Sequence, residues 1–437
     1  NVITDIMIES DATWEEIDSI GITNQRETTI VWDKVSGKPI YNAVIWQSRQ
    51  SAEICDKFAK KEAVIHNKTG LIINPYFSAS KIRFILDAVE GAQERAEKGE
   101  LLFGTIDTWL IWKMTNGKVH ATDTTNASRT LLYNIYDLKW DEELCKMFNV
   151  PMSMLPEVFS SKHDFGALEI AQAPVHILGV AGDQQASLFG HTCFNMGDCK
   201  NTYGTGCFML MNTGTKPIFS KNGLLTTIAW TLDGKTTYAL EGSVFIGGAA
   251  IQWLRDGLKA VDEASDCDHY ASKVENSGGV YFVPAFVGLG TPYWDDDVRG
   301  SMFGMTRATK KPHIVRATLE AIAYESKDVF DVMQEESGIE INSLQVDGGA
   351  TNSNILMQFQ SDICQIEIKK PSCLESTALG VCYLAGLQSG FFPSINEIKK
   401  CHDFRQVYKP TIDSKTADKL CKGWKVAVNA ARSFKLK

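Results

Sequence analysis

Val180-Ala181-Gly182-Asp183-Gln184-Gln185-Ala186 is the stretch on which the rest of the chain turns. The mostly apolar run from Val175 to Val180 reads as a short buried strand that ends on Gly182. The residues after Ala186 read as helix. Asp183 and Gln184 therefore stand at a strand-to-helix turn. In open α/β sheets, ligands gather at the carboxyl ends of strands. A carboxylate there can take a proton from a hydroxyl nucleophile, and a neighbouring amide can orient that hydroxyl. Asp is also a common helix N-cap, so a purely structural reading of Asp183 stays open at this point.

The chain has 437 residues, too many for one hydrophobic core, so two domains are expected. Hydrophobic residues make up 44% and charged residues 22%, a globular composition. The formal net charge is −9 and no basic block stands out, which argues against nucleic acid and anionic membranes as partners. Eleven cysteines, an odd number, are scattered without a C-x-x-C pair. That pattern fits reduced thiols in the cytoplasm better than a disulfide frame or a zinc site. The longest apolar run, Val280 to Val287, contains Pro284 and is too short to cross a bilayer, so no membrane insertion is expected. No signal peptide is visible. The chain begins at Asn1 rather than Met and is expected to be part of a longer polypeptide.

Towards the N-terminus, Ile20 to Asn24 and Thr28 to Trp32 read as strands. Between them Gln25-Arg26-Glu27 places three polar residues where a strand ends. A surface turn explains them. So does a site for small hydroxyl groups, which needs a donor beside an acceptor. Val44-Ile45-Trp46 is apolar, and Trp46 reads as core or as a ligand wall. Ile73 to Ser78, with Pro75 and Tyr76, leads into a helix. Asp164-Phe165-Gly166 imitates a protein-kinase signature without its companion loops and reads as a chance turn. No Walker A motif or G-x-G-x-x-G is present.

Towards the C-terminus, Asn201 to Phe208 contains Gly204-Thr205-Gly206, where backbone can approach an anion. Hairpin turns use the same three residues. Glu241-Gly242-Ser243 and Ile246 to Ala250 read as a second Gly-rich turn, before a helix holding Gln252. Val346-Asp347-Gly348-Gly349-Ala350 is a third. Three strand–glycine–helix turns together suggest a backbone cradle for phosphate and nucleoside. The helix from Pro312 to Gly338 carries Val315, Leu319, Ile322, Phe330 and Met333 on one face and reads as structural. Thr377 to Leu387, with Gly380 and Ala385, suits close helix packing. The polar tail beyond Gly390 gives no functional signal.

Four of these stretches, Gly21 to Thr29, Gly182 to Gln185, Asn201 to Phe208 and Val346 to Gly349, occur in an order and spacing that resembles the FGGY carbohydrate kinases, and within them the members that phosphorylate glycerol. The resemblance runs over nearly the whole chain. It implies an α/β fold of the actin-like ATPase, ribonuclease H-like kind: two domains, each a mixed five-stranded sheet flanked by helices, and a deep cleft between them. Residues 1–190 would form the glycerol-binding domain and residues 191–437 the nucleotide-binding domain. The implied reaction is ATP-dependent phosphorylation of glycerol to sn-glycerol 3-phosphate, with Mg2+.

On this resemblance Arg26, Glu27, Tyr76, Asp183 and Gln184 hold the three hydroxyls, with Asp183 as general base, and Trp46 and Phe208 pack on the carbon backbone. Thr205, Gly248, Gln252, Gly349 and Asn354 meet the nucleotide. A homodimer or homotetramer in the cytoplasm is implied. The chain departs from the family pattern in three places. Nothing matches the family's opening Asp-Gln-Gly-Thr-Thr phosphate loop, so the metal ligands stay unassigned. Residues 165–172 lack the Gly-Gly-Thr-Arg loop by which many bacterial members bind fructose 1,6-bisphosphate. Ser353 and Asn354 share the place of one nucleotide-site Asn. A sister kinase acting on xylulose, and a non-catalytic nucleotide-binding protein, are the competing readings. Arg26-Glu27 with Trp46 argues against the first, because a larger sugar needs that wall opened.

Overall fold

The computed structural model describes residues 2–169 and 173–435. The chain builds two α/β halves. In the first, the strand Ser19–Asn24 runs parallel to His176–Gly182, with Asn24 opposite Gly182. Ile30–Asp33 pairs antiparallel with Leu101–Gly104, and Ala121–Asp123 pairs parallel with Glu157–Phe159. In the second half, seven strands form one mixed sheet. Its order is Leu225–Leu232, Lys235–Val244, Cys207–Gly214, Cys199–Tyr203, Ser343–Asp347, Glu367–Pro371 and Phe404–Tyr408.

The sheets differ from the five strands expected in each domain. The second half's sheet has seven, with the long hairpin 225–244 at one edge and a strand from the polar tail at the other. Asp233 (φ +48°) and Gly234 (φ +75°) make that hairpin's two-residue turn, a backbone that matches the twist of the flanking strands. In the first half these three pairs and a fourth, Tyr133–Asn134 with Lys139–Trp140, use strands of only two to seven residues. Beyond each pair, strand pairing shrinks to single bridges such as Lys162 with Gly179.

The helix Lys311–Ser337 has Pro312 in its first turn and ends on Gly338 at φ +65°. Its five expected core residues are all buried. The helix Ser376–Ser389 belongs by sequence to the second half, yet it packs on the first half's parallel strands and on the helix Asp183–Gly190. The two helices cross at Gly190 and Gly380. A Cβ at Gly380 would run into the Ala186 carbonyl oxygen, and one at Gly190 into that of Ser376. Leu188, Phe189, Trp230, Val381 and Leu384 form one apolar cluster across this junction. The tail is structural too: Trp424, on the helix Ser414–Ser433, is buried in the second core.

Among the described residues no helix is long and apolar enough to cross a membrane. Of the interval 165–172, Phe165 is buried and Asp164 beside it holds His176 at 2.9 Å, so the kinase-like triplet is a structural turn. Ile170, Ala171 and Gln172 lie outside the described residues.

Candidate active site between the two halves

The parallel register that sets Asn24 opposite Gly182 brings the C-terminal ends of both strands to one place. Arg26 and Glu27 leave the first strand there, and Asp183 and Gln184 leave the second. Trp46 comes from a neighbouring loop, Tyr76 from the turn before the helix Ser78–Ala88, and Phe208 from a second-half strand. With Gln25 they line a cavity of about 60 Å³. The structure thus gathers all seven residues expected around the acceptor. Trp46 is half-buried, with its ring 5.8 Å from Tyr76 and 6.4 Å from Phe208, both edge-on. It is a wall, not a core residue.

Gly182 occupies the N-cap position and Asp183 is the first helical residue, so Asp183 is not a cap. Its Oδ1 accepts the Gln184 backbone N–H at 2.8 Å and stands 3.2 Å from Arg26 Nε. About a third of its side chain is exposed, while Arg26 is buried. Arg26 Nη1 and Nη2 donate to the two Glu241 oxygens at 2.6 and 2.9 Å, and Nη1 also to Gln185 Oε1 at 3.2 Å. Arg26 Nε has charge contact but no aligned acceptor, which suits it to donate to a ligand oxygen. For the Glu241 carboxyl, burial works upward, but Arg129 and Arg26 outweigh it and hold it at about 2.

Glu27 is the opposite case. Burial raises its carboxyl even though Arg26 and Arg129 pull the other way. Arg129 Nε donates to Glu27 Oε1 at 2.7 Å. Glu27 also has a left-handed backbone, φ +62°, an uncommon state for a non-glycine residue. Its carbonyl accepts Ser78 Oγ at 3.1 Å and Lys81 Nζ at 3.2 Å, and the same ammonium donates to the Tyr76 carbonyl. Lys81 is fully buried, and burial pushes it down to about 8. One lysine therefore fixes the backbone of two cavity residues.

A second cavity, of about 560 Å³, is lined by Thr205, Gly248, Gln252, Gly349 and Asn354, the five residues expected at the nucleotide. Gly204-Thr205-Gly206 proves to be the tip of a hairpin, not a strand-to-helix turn, since it joins two antiparallel strands. Glu241 to Val244 lies within a strand, so only the later part of the second glycine stretch is a turn. That turn is spent on the first: Gly247 and Ala249 donate to the Thr205 carbonyl at 2.8 and 3.1 Å, and Gly248 to that of Gly204 at 2.8 Å. Gly348 (φ +91°) seats the third turn against the same loop, where a Cβ would stand 2.6 Å from the Tyr203 carbonyl. Gly349 faces open space. Both Ser353 and Asn354 line the cavity, with the Asn354 Oδ1 accepting the Tyr408 hydroxyl at 2.6 Å.

A groove of about 270 Å³ joins the two cavities, sharing Trp46, Tyr76 and Phe208 with the smaller and Thr205 with the larger. At its rim Arg49 and Asp296, one from each half and both exposed, meet at 3.1 Å.

The N-terminal-domain model of the FGGY family of carbohydrate kinases matches residues 1–190, and its C-terminal-domain model matches residues 199–389. The chain belongs to the FGGY family of carbohydrate kinases. With the family comes its two-domain actin-like ATPase fold. The chain is 57% identical to a glycerol kinase of Bacillus mycoides, covering 99% of this chain and 88% of that protein. It is 58% identical to a glycerol kinase of Bacillus licheniformis, covering 100% and 89%. The crystal structure of Plasmodium falciparum glycerol kinase with ADP matches with a TM-score of 0.91 at 39% identity, over 98% of this chain and 87% of that one. A gluconate kinase from Lactobacillus acidophilus, at 22% identity and a TM-score of 0.88, shares the fold.

Lys81, Arg129 and Lys200, all near the smaller cavity, escaped the sequence reading, and Gln185 and Glu241 were quoted in motifs without a place at it. For Lys81, Lys200 and Glu241 the signal was a charge inside an otherwise buried strand or helix. Glu241 sits in Tyr238-Ala239-Leu240-Glu241-Gly242 and Lys200 follows Cys199 in a strand, and a charge there demands a partner.

Proposed function

We propose that the chain transfers the γ-phosphoryl group of ATP to glycerol, giving sn-glycerol 3-phosphate and ADP. The observation that carries this reading is the small cavity itself. It combines a part-exposed carboxylate, a guanidinium with an unused donor and an aromatic wall, and it opens through a groove onto the larger cavity. Residues 1–190 supply the acceptor site except for Phe208, and residues 191–437 supply the nucleotide site.

Asp183 takes the proton of the attacking hydroxyl, and Gln184 orients it. Arg26, Glu27 and Tyr76 hold the remaining hydroxyls. Trp46 and Phe208 cover the carbon chain, which keeps water from competing for the phosphoryl group. Phosphoryl transfer asks the protein mainly for position and for charge stabilisation, and this site supplies both. Mg2+ takes one or two carboxylates together with substrate phosphates. The described residues gather no set of three ligating side chains, and the exposed face of Asp183 suits a metal carried in by ATP. When bound, that ion neutralises charge on the transferring group. A homodimer or homotetramer is the expected assembly, which light scattering reads.

A coupled ADP-release assay with Mg2+–ATP, run on glycerol, erythritol, xylulose and gluconate, tests the reading. Glycerol should give the highest kcat/KM. A higher value for xylulose or gluconate overturns the substrate, and no ADP release with any acceptor overturns the reaction.

A further inference from the structure

On the strand Cys199–Tyr203, Lys200 is fully buried and lines neither cavity. Its ammonium donates to Gln184 Oε1 at 2.5 Å and to Thr202 Oγ1 at 2.9 Å. Ser187 Oγ lies 3.4 Å from that Thr202 oxygen and donates to Asp347 Oδ2 at 3.0 Å. His191 Nε2 stands 3.1 Å from the same carboxylate oxygen. A run of polar groups thus leads from Gln184 in the small cavity to Asp347, the residue before the Gly348-Gly349 turn of the large one.

An ammonium is a donor without acceptor capacity, so the Gln184 atom that faces it must be the carbonyl oxygen. The amide's NH2 end is then left for the cavity that Gln184 lines. A glutamine without such a neighbour can present either end by a half-turn of its terminal bond. The ammonium is itself pinned. Burial lowers its hold on the proton below the ordinary lysine value, and the charges of Asp347 and Asp183 offset part of that. Burying a lysine is costly, and here the same group decides which way a substrate-facing amide points.

We propose that Lys200 is a positioning residue for phosphoryl transfer, setting the Gln184 amide so that its NH2 group meets an acceptor hydroxyl. The inference rests on the proposed glycerol site.

The test is a double-mutant cycle on the full chain: Lys200→Met, Gln184→Ala and the two together, each assayed with glycerol and Mg2+–ATP. Lys200→Met should raise the glycerol KM roughly tenfold or more, the scale of one charged hydrogen bond. The ATP KM should stay within about twofold, a split that general loosening of the fold does not produce. In the Gln184→Ala background, Lys200→Met should change the glycerol KM by less than about twofold, because its target is already gone. Additive effects, or an ATP KM that rises as far as the glycerol KM, overturn the inference. If the Met variant does not fold, Lys200→Gln enters the same cycle under the same criterion. A wild-type chain that does not phosphorylate glycerol removes the proposed function and this inference with it. A wild type that does, with an additive cycle, removes this inference alone.

Discussion

Arg26 and Glu241 come from opposite halves of the chain and are joined by two hydrogen bonds, Nη1 to Oε2 at 2.6 Å and Nη2 to Oε1 at 2.9 Å, with both side chains out of water. Such a two-pronged charged pair is the strongest common form of hydrogen bond between side chains. The same guanidinium turns its Nε towards Asp183. The angle at which Asp183 meets its partner is therefore set by a glutamate that does not line the cavity.

Glu241→Gln keeps the shape and removes the charge that balances two buried arginines. Breaking a buried pair on one side costs about 3–5 kcal/mol. Urea unfolding should show a loss on that scale, and the glycerol KM should rise with it. Wild-type stability in this variant would mean that Arg26 finds its balance elsewhere.

Stability should depend on pH with a definite sign. Glu241 is held at about 2, below its ordinary value of 4.5, so its contribution is present above 4.5 and is lost as pH falls towards 2. Asp347 acts in the same direction: burial alone would raise it, but His191 and Lys200 hold it well down. Glu27, raised by burial, has the opposite sign, and taking up its proton relieves a strain. Melting temperatures should fall steeply across that acid window, and Glu241→Gln should flatten the fall. An equally steep limb in the variant would assign the loss to other carboxylates.

Asp183→Asn preserves shape and removes the proton acceptor. A positioned base is worth ~10²–10⁴-fold in rate. Turnover should drop by that factor, while ADP affinity, read by calorimetry, stays close to wild type. Near-normal turnover would reduce Asp183 to an ordinary first-turn residue.

Trp46→Ala opens the wall that Tyr76 and Phe208 brace. The ratio of kcat/KM for erythritol over glycerol should rise, because a hydrophobic wall discriminates by roughly 10–200-fold per missing or added group. A ratio unchanged from wild type would place acceptor selection outside this wall.

Gly380→Ala puts a methyl group into the Ala186 carbonyl oxygen at the helix crossing. Overpacking of this kind costs about 1–3 kcal/mol. The helix pushed aside begins with Asp183 and Gln184, so activity should fall further than stability alone accounts for. Thermal melts and kcat on the same preparation separate the two effects.

The local code was legible where one residue decides the backbone. Gly182 before Asp183, Asp233-Gly234 in a hairpin, and Pro312 with Gly338 bounding a helix all mark their elements by steric rules that act over a few residues. The site was legible through polar residues at strand ends. Long-range pairing was not. Glu241 looks like part of a glycine turn until Arg26 is brought to it from more than two hundred positions away. The tail read as featureless because Phe404–Tyr408 is an exposed edge strand and the helix Ser414–Ser433 hides its Trp424 among lysines. That helix buries Ala417, Trp424, Ala427, Val428 and Ala431 on one face, so a helical period was there to be read, carried mostly by small residues.

The helix Ser376–Ser389 has a consequence for how the protein is made. It covers the strands Ser19–Asn24 and His176–Gly182, which meet each other only after more than 150 residues have emerged. A nascent chain still short of residue 376 holds those strands with one face bare, and Leu188 and Phe189 lack Val381 and Leu384 from their cluster. The N-terminal half cannot finish folding while its C-terminal partner is still on the ribosome, as a self-contained first domain would. Pauses in translation between residues 190 and 376 are the moments of greatest exposure to aggregation, and chaperones that hold unfinished chains have most to do there.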